Sequence, residues 1–116
     1  MLQNNCTPCT SESKAINSIK AIGLLDHLSE NWSLNLKHKL FASYKLNNYA
    51  EALQFITKIS KIAEQQQHHP DLNFGWGYVE ITLYTHALMG LHENDFILAS
   101  KIDKLTKSPP SQQTFL

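Results

Sequence analysis

The chain changes its hydrophobic period several times, and each change marks an element. Ala15, Ile16, Ile19, Ile22 and Leu25 recur at helical spacing, which predicts a first helix from about Ser13 to Leu28. Gly23 weakens that helix by about 1 kcal/mol relative to Ala. Trp32, Leu34 and Leu36 then alternate with Ser33, Asn35 and Lys37, a period of two that predicts a strand. A second alternation follows, Leu40, Ala42 and Tyr44 against Phe41, Ser43 and Lys45. Lys37, His38 and Lys39 would join the two as a hairpin turn, and since these three include no Gly or Asn the pairing register is left open. Asn47 and Asn48 are suited to cap free backbone N–H groups at a helix start. Ala52, Phe55, Ile56, Ile59 and Ala63 form an apolar stripe over a helix from about Tyr49 to Gln66, with Glu51, Lys58, Lys61 and Gln65 off the stripe and expected in water. Pro70 lacks an N–H and pushes His69 toward an extended backbone, so the helix ends near Gln67.

Beyond that corner, Val79, Ile81, Leu83 and Thr85 alternate with Tyr78, Glu80, Thr82, Tyr84 and His86, the strongest strand pattern in the chain. Leu72 to Trp76 reads as an adjoining strand, or as the opening of the same one after a bend at Gly75 or Gly77. Met89, Gly90 and Leu91 suit a turn. The last helix is expected from about Glu93 to Thr106, with Leu98, Ala99, Ile102 and Leu105 inward and Glu93 and Asp95 at its positive end. Strands in runs with helices to one side predict an α+β domain on an antiparallel sheet, residues 13–106. Residues 1–12 and 107–116 are polar and are expected to be flexible tails.

Composition narrows the function. A chain of 116 residues suits one domain, and 42% apolar with 17% charged residues is a globular balance. Ten basic residues balance ten acidic ones and every basic residue is Lys. Nucleic-acid readout favours a basic excess and bidentate Arg, so no nucleic-acid partner is expected. No apolar run approaches a membrane span, and Met1 to Cys6 resembles no signal peptide, so a cytoplasmic protein away from membranes is expected. Cys6-Thr7-Pro8-Cys9 has redox or half-zinc spacing, but no second Cys or His pair follows nearby, and a loose terminus is the simpler reading.

Six histidines supply the candidate chemistry. His68 and His69 end a helix, His86 ends a strand, and Asp95 opens the next helix. Glu64 stands one turn before His68 and shares its helical face. Imidazole titrates near neutrality and so can donate or accept protons there. Three readings follow: surface histidines at element ends, a metal site of His68, His69, His86 and Asp95, or metal-free acid–base catalysis. Adjacent histidines rarely turn both rings to one ion. Spacing alone does not choose between the first reading and the third.

A longer pattern does. Glu64-x3-His68-His69-Pro70-x5-Trp76-x9-His86-x8-Asp95 resembles the signature of the pterin-4a-carbinolamine dehydratase family. Trp32 before the first strand, Tyr49 to Phe55, Thr85-His86 and Gly90 to Phe96 are similar to the text around that signature, over about residues 20–105. The resemblance implies a four-stranded antiparallel sheet with three helices packed on one face, assembled as a homodimer or homotetramer. It implies a lyase that dehydrates 4a-hydroxytetrahydrobiopterin, or a related 4a-hydroxytetrahydropterin, to quinonoid dihydropterin, recycling the pterin of aromatic amino-acid hydroxylases without metal or cofactor. Carried over residue by residue, His68 and His86 would be the acid–base pair, and His69 would bind and orient. Glu64, Thr85 and Trp32 would contact the pterin, and Asp95 would do so while orienting His86. Two other functions stay open on the same fold: a protein-binding or transcriptional dimerisation scaffold, and an assembly factor. An intact histidine set favours the enzyme, because a scaffold has no need of it.

Overall fold

The computed structural model describes residues 5–8, 13–35 and 37–106. Along the chain these form α1 (Ser18–Leu25), β1 (Trp32–Leu34), β2 (Leu40–Lys45), α2 (Tyr49–Gln66), β3 (Asp71–Gly75), β4 (Tyr78–Leu83), a short 3-10 turn (His86–Leu88) and α3 (Glu93–Thr106). The strands make one antiparallel sheet in the order β1-β2-β4-β3, with three α-helices beside it in the chain: the α+β class expected. The adjoining strand at Leu72 is a separate one, folded back on β4 at a turn where Gly77 has φ +82° and hydrogen-bonds Leu46 through its carbonyl.

Register explains where the core lies. Leu40 faces Leu83, Ala42 faces Ile81 and Tyr44 faces Val79. All six are buried, and they join Ala21 and Leu24 of α1, Ala52, Phe55 and Ile59 of α2, and Phe96, Leu98, Ala99 and Ile102 of α3 in a single cluster. Alternation in two central strands therefore directs one sheet face to the helices' apolar sides.

The structure departs from the sequence reading in four places. First, α1 is shorter than expected: Asn17 accepts the Lys20 N–H at 2.8 Å and starts the helix there. Its buried residues are Ala21 and Leu24, whereas Ile19 and Ile22 point outward. Second, Glu51 is buried, not solvated. Its carboxylate accepts the Asn47 N–H at 3.0 Å and the Asn47 side-chain amide at 3.2 Å, while Asn48 accepts the Glu51 N–H at 2.9 Å, a reciprocal cap of α2. Third, β1 ends at Leu34. Asn35 organises the turn by accepting the N–H groups of Lys37 and Lys39 at 2.9 and 3.0 Å, and His38 takes the left-handed conformation with φ 58°. Leu36, expected in this strand, lies outside the described residues. Fourth, His86 does not end a strand; β4 stops at Leu83 and His86 opens the 3-10 turn, closed by a bridge from Thr85 to Gly90.

Of the segments expected to be tails, residues 5–8 are described and hydrogen-bonded to α2 and α3; residues 1–4, Cys9, 10–12 and 107–116 lie outside the described residues. Among the described residues no helix is long and apolar enough to cross a membrane.

Candidate active site

The site forms where three elements end together. At the end of α2, Gln67 adopts the left-handed conformation (φ 53°, ψ 39°); its N–H bonds the Glu64 carbonyl and the His68 N–H bonds the Ala63 carbonyl. This is the double bond of a Schellman ending, with Gln in the place Gly usually takes. It turns His68 and His69 off the helix axis just before Pro70. The end of β4 and the 3-10 turn bring Thr85 and His86. The start of α3 brings Asn94 and Asp95.

Asp95 is wholly buried and ties these ends together. Its Oδ1 accepts from His68 Nε2 at 2.6 Å, and its Oδ2 accepts from the Thr85 hydroxyl at 2.8 Å and from the His92 N–H at 2.9 Å. The His92 ring returns the favour to α3, its Nδ1 accepting the Asn94 N–H at 3.0 Å. His92 and Asp95 thus form a capping box in which His replaces the usual Ser or Thr. An ionised carboxylate only accepts, so opposite Asp95 in that form His68 Nε2 is the donor of this bond.

A cavity of about 380 Å³ opens here, lined by Thr7, Pro8, Gln67, His68, His69, Tyr84, Thr85, His86, Ala87 and Asn94. That volume lies in the range of small-molecule sites. The adjacent His68 and His69 and the distant His86 therefore line one cavity within a single chain. The His86 ring meets Tyr84 edge-on at 5.3 Å between centroids, and Lys39 sits over the other ring at 4.7 Å. Among the described residues, no group of three or more His, Cys, Asp or Glu side chains is arranged to hold a metal ion.

The remaining sequence candidates fall elsewhere. Glu64 pairs with His69 at the rim, where both are exposed. Asp95 was expected to orient His86; it bonds His68 instead, because the capping box fixes its carboxylate toward the end of α2. Trp32 is buried in the core, and its indole N–H donates to Asp103 at 3.1 Å. It is not part of the cavity lining. Trp76 is largely exposed at the β3–β4 turn. Sequence reasoning missed Thr7, Pro8, Gln67, Ala87 and Asn94 as lining residues; only Asn94, beside Asp95 at a helix start, carried any local signal.

This small α+β domain brings three imidazoles to one cavity, and a buried carboxylate bonds one of them. The chain is a member of the pterin 4 alpha carbinolamine dehydratase family, whose model matches residues 15–105. A relative from Rickettsia canadensis named for pterin-4-alpha-carbinolamine dehydratase is 41% identical over 101 residues, spanning 87% of this chain and 93% of its own length. One of the same name from Rubrobacter xylanophilus is 37% identical over 105 residues, spanning 90% and 97%. Among solved structures, a transcriptional coactivator/pterin dehydratase from Brucella melitensis shares the fold with a TM-score of 0.73 at 24% identity, over 78% of this chain and 97% of that one. A pterin dehydratase-like protein described as a RuBisCO assembly factor in the alpha-carboxysome has a TM-score of 0.57 at 28% identity, over 69% and 94%.

Proposed function

We propose that this protein dehydrates a 4a-hydroxytetrahydropterin, such as 4a-hydroxytetrahydrobiopterin, to the dihydropterin and water, and so returns the spent pterin of an aromatic amino-acid hydroxylase to use. The observation that carries the reading is the convergence of His68, His69 and His86 on one cavity, with Asp95 bonded to His68. The reaction breaks the C4a–O bond. Hydroxide is a poor leaving group, so an acid protonates the 4a-oxygen and water departs. The N5 lone pair fills the position left at C4a, and N5 then loses its proton to a base. No electrons are exchanged with a second molecule, so the step asks for two proton-transfer groups rather than a redox cofactor. His68 and His86 act as that pair. His69, held at the rim by Glu64, orients the ring. Asp95 holds the His68 ring with Nδ1 available. The outer strands β1 and β3 of the sheet offer edges for assembly into a homodimer or homotetramer.

A stopped-flow assay tests the reading. The protein should accelerate loss of the 4a-hydroxypterin absorbance, and His68→Ala and His86→Ala should each lower kcat by about 10²–10⁴-fold with folding intact. Full activity in both variants removes the catalytic assignment. The names of the two solved relatives keep a second reading in view, a protein-binding scaffold on this fold. Absence of any acceleration, together with tight binding of a protein partner, would establish that reading in place of the enzyme.

A further inference from the structure

We infer that residues Cys6 to Pro8 form a wall of the pterin site and that Asn94 is the positioning residue that holds them there. The inference rests on the dehydratase reading but concerns a stretch outside residues 15–105, the part of the chain that the family model matches. Thr7 and Pro8 line the same cavity as His68, His69 and His86. Their placement is fixed by bonds that span most of the chain. The Asn94 side chain accepts the Thr7 N–H at 2.9 Å and donates to the Thr7 carbonyl at 2.6 Å. One carboxamide thus pairs both backbone groups of one residue, as a neighbouring strand would. The Cys6 N–H donates to Gln66 Oε1 at 2.8 Å, the Gln66 amide donates to the Asn5 side chain at 3.1 Å, and the Cys6 thiol lies 3.5 Å from the Asn94 carbonyl. Asn94 is itself buried, so its amide is spent on this segment and not on water.

The anchors are chosen to register the segment against the chemistry. Gln66 and Gln67 precede His68 on the chain, and Asn94 precedes Asp95. Any movement of the segment is thereby referred to the two elements that set the His68–Asp95 bond. The segment contributes backbone and small side chains rather than a titrating group facing the pterin. Its effect is therefore on binding and enclosure of the ring, not on proton transfer.

Two variants and one probe test this. Deletion of residues 1–8, and separately Asn94→Leu, should raise KM and weaken binding of 7,8-dihydrobiopterin by about tenfold or more while kcat stays within about threefold. Asn94→Asp keeps the acceptor for the Thr7 N–H but loses the donor, so it should fall between wild type and Asn94→Leu. Iodoacetamide labelling of Cys6, located by fragment-ion mass spectrometry, reads the segment without any turnover. Burial, and then the nearby Asp95 charge, push the Cys6 thiol up to about 11, so labelling near neutral pH should be slow in wild type. It should be slowed further by 7,8-dihydrobiopterin and be faster in Asn94→Leu. If wild type turns over and binds the pterin but the deletion and Asn94→Leu keep wild-type KM and affinity, the wall is not part of the site and the dehydratase reading stands. If wild type neither binds nor dehydrates the pterin, both fall together.

Discussion

A buried carboxylate is costly unless its lone pairs meet donors, and Asp95 meets three from three different elements. Two of them, the Thr85 hydroxyl and the His92 N–H, share Oδ2, which leaves Oδ1 to the His68 ring. The geometry is therefore asymmetric, and an amide cannot reproduce it. In Asp95→Asn, an amide oxygen kept toward Thr85 and His92 turns the NH2 to His68 Nε2 and forces that imidazole into the other tautomer, with its proton on Nδ1. The expected outcome is a loss of about 1.5–3 kcal/mol in stability, the range for hydrogen bonds to a charged group. It should come with a fall in kcat of roughly 10–10²-fold, as for carboxylates that orient a functional imidazole. KM should change much less, because Asp95 has no exposed surface in the cavity. Urea titration and steady-state kinetics on one preparation would check both. A variant that lost stability but kept wild-type kcat would reduce Asp95 to a helix cap.

At the level of elements, the site depends on how α2 stops. Gln67 in the left-handed conformation is what turns His68 toward α3. A non-glycine residue pays about 1–2 kcal/mol for that conformation, and a β-branched one pays most. Gln67→Gly should therefore keep His68 in place, with kcat near wild type and an unfolding midpoint equal or higher. Gln67→Val should lower the midpoint and lower kcat with it, since the strain is relieved by moving His68. Equal behaviour of the two variants would mean that Pro70 and the β3 pairing alone fix the corner. This junction also shows what the sequence could and could not disclose. Pro70 and the α2 stripe announced where the helix ends, and the His-His-Pro spacing announced chemistry there. No glycine announced that Gln67 would take a left-handed conformation to end α2, and nothing local announced which histidine Asp95 would choose, because that bond is made across 27 residues. The buried Glu51 escaped for a related reason: helical periodicity tests which face a residue is on, and a cap turns a side chain back along the axis instead. Ile19 and Ile22 belong to the apolar repeat that predicts α1 yet are exposed, since such a repeat predicts a helix more securely than it predicts which of its faces is covered. The segment at Cys6 to Pro8 had its polar composition and its Cys-x2-Cys spacing to be read by, neither of which points to partners 60–88 residues away.

Across the whole molecule, α3 is the strut that joins the site to the sheet. Its first turn carries Asn94 and Asp95; two turns on, Asp103 is buried against the opposite part of the structure. Asp103 accepts from the Ser29 N–H and hydroxyl at 2.8 and 2.7 Å, from the Trp32 indole at 3.1 Å and from the Tyr44 hydroxyl at 3.0 Å. One carboxylate thus fastens the α1–β1 connection, β1 and β2 to the helix that carries Asp95 into the candidate site. Asp103→Ala would leave the Trp32 and Tyr44 donors buried without an acceptor, at about 1–3 kcal/mol each. That is a large share of a domain's stability of about 5–15 kcal/mol. The same contact makes stability depend on alkali. Burial, with the Asp103 charge beside it, holds the Tyr44 phenol far above its ordinary value. The neutral phenol is the form the fold favours, so its contribution is complete below about pH 10, the unfolded value, and is lost as the pH rises beyond it. Urea midpoints between pH 8 and 11 should fall in wild type and fall less steeply in Tyr44→Phe, with the raised Cys6 thiol accounting for part of the remaining slope. Asp103→Ala should show a lower midpoint throughout. Because Asp103 lines no part of the cavity, the molecules that remain folded should keep wild-type kcat. A fall in kcat without a fall in midpoint would place Asp103 in the candidate site's own network and would refute its role as the anchor of α3 to the sheet.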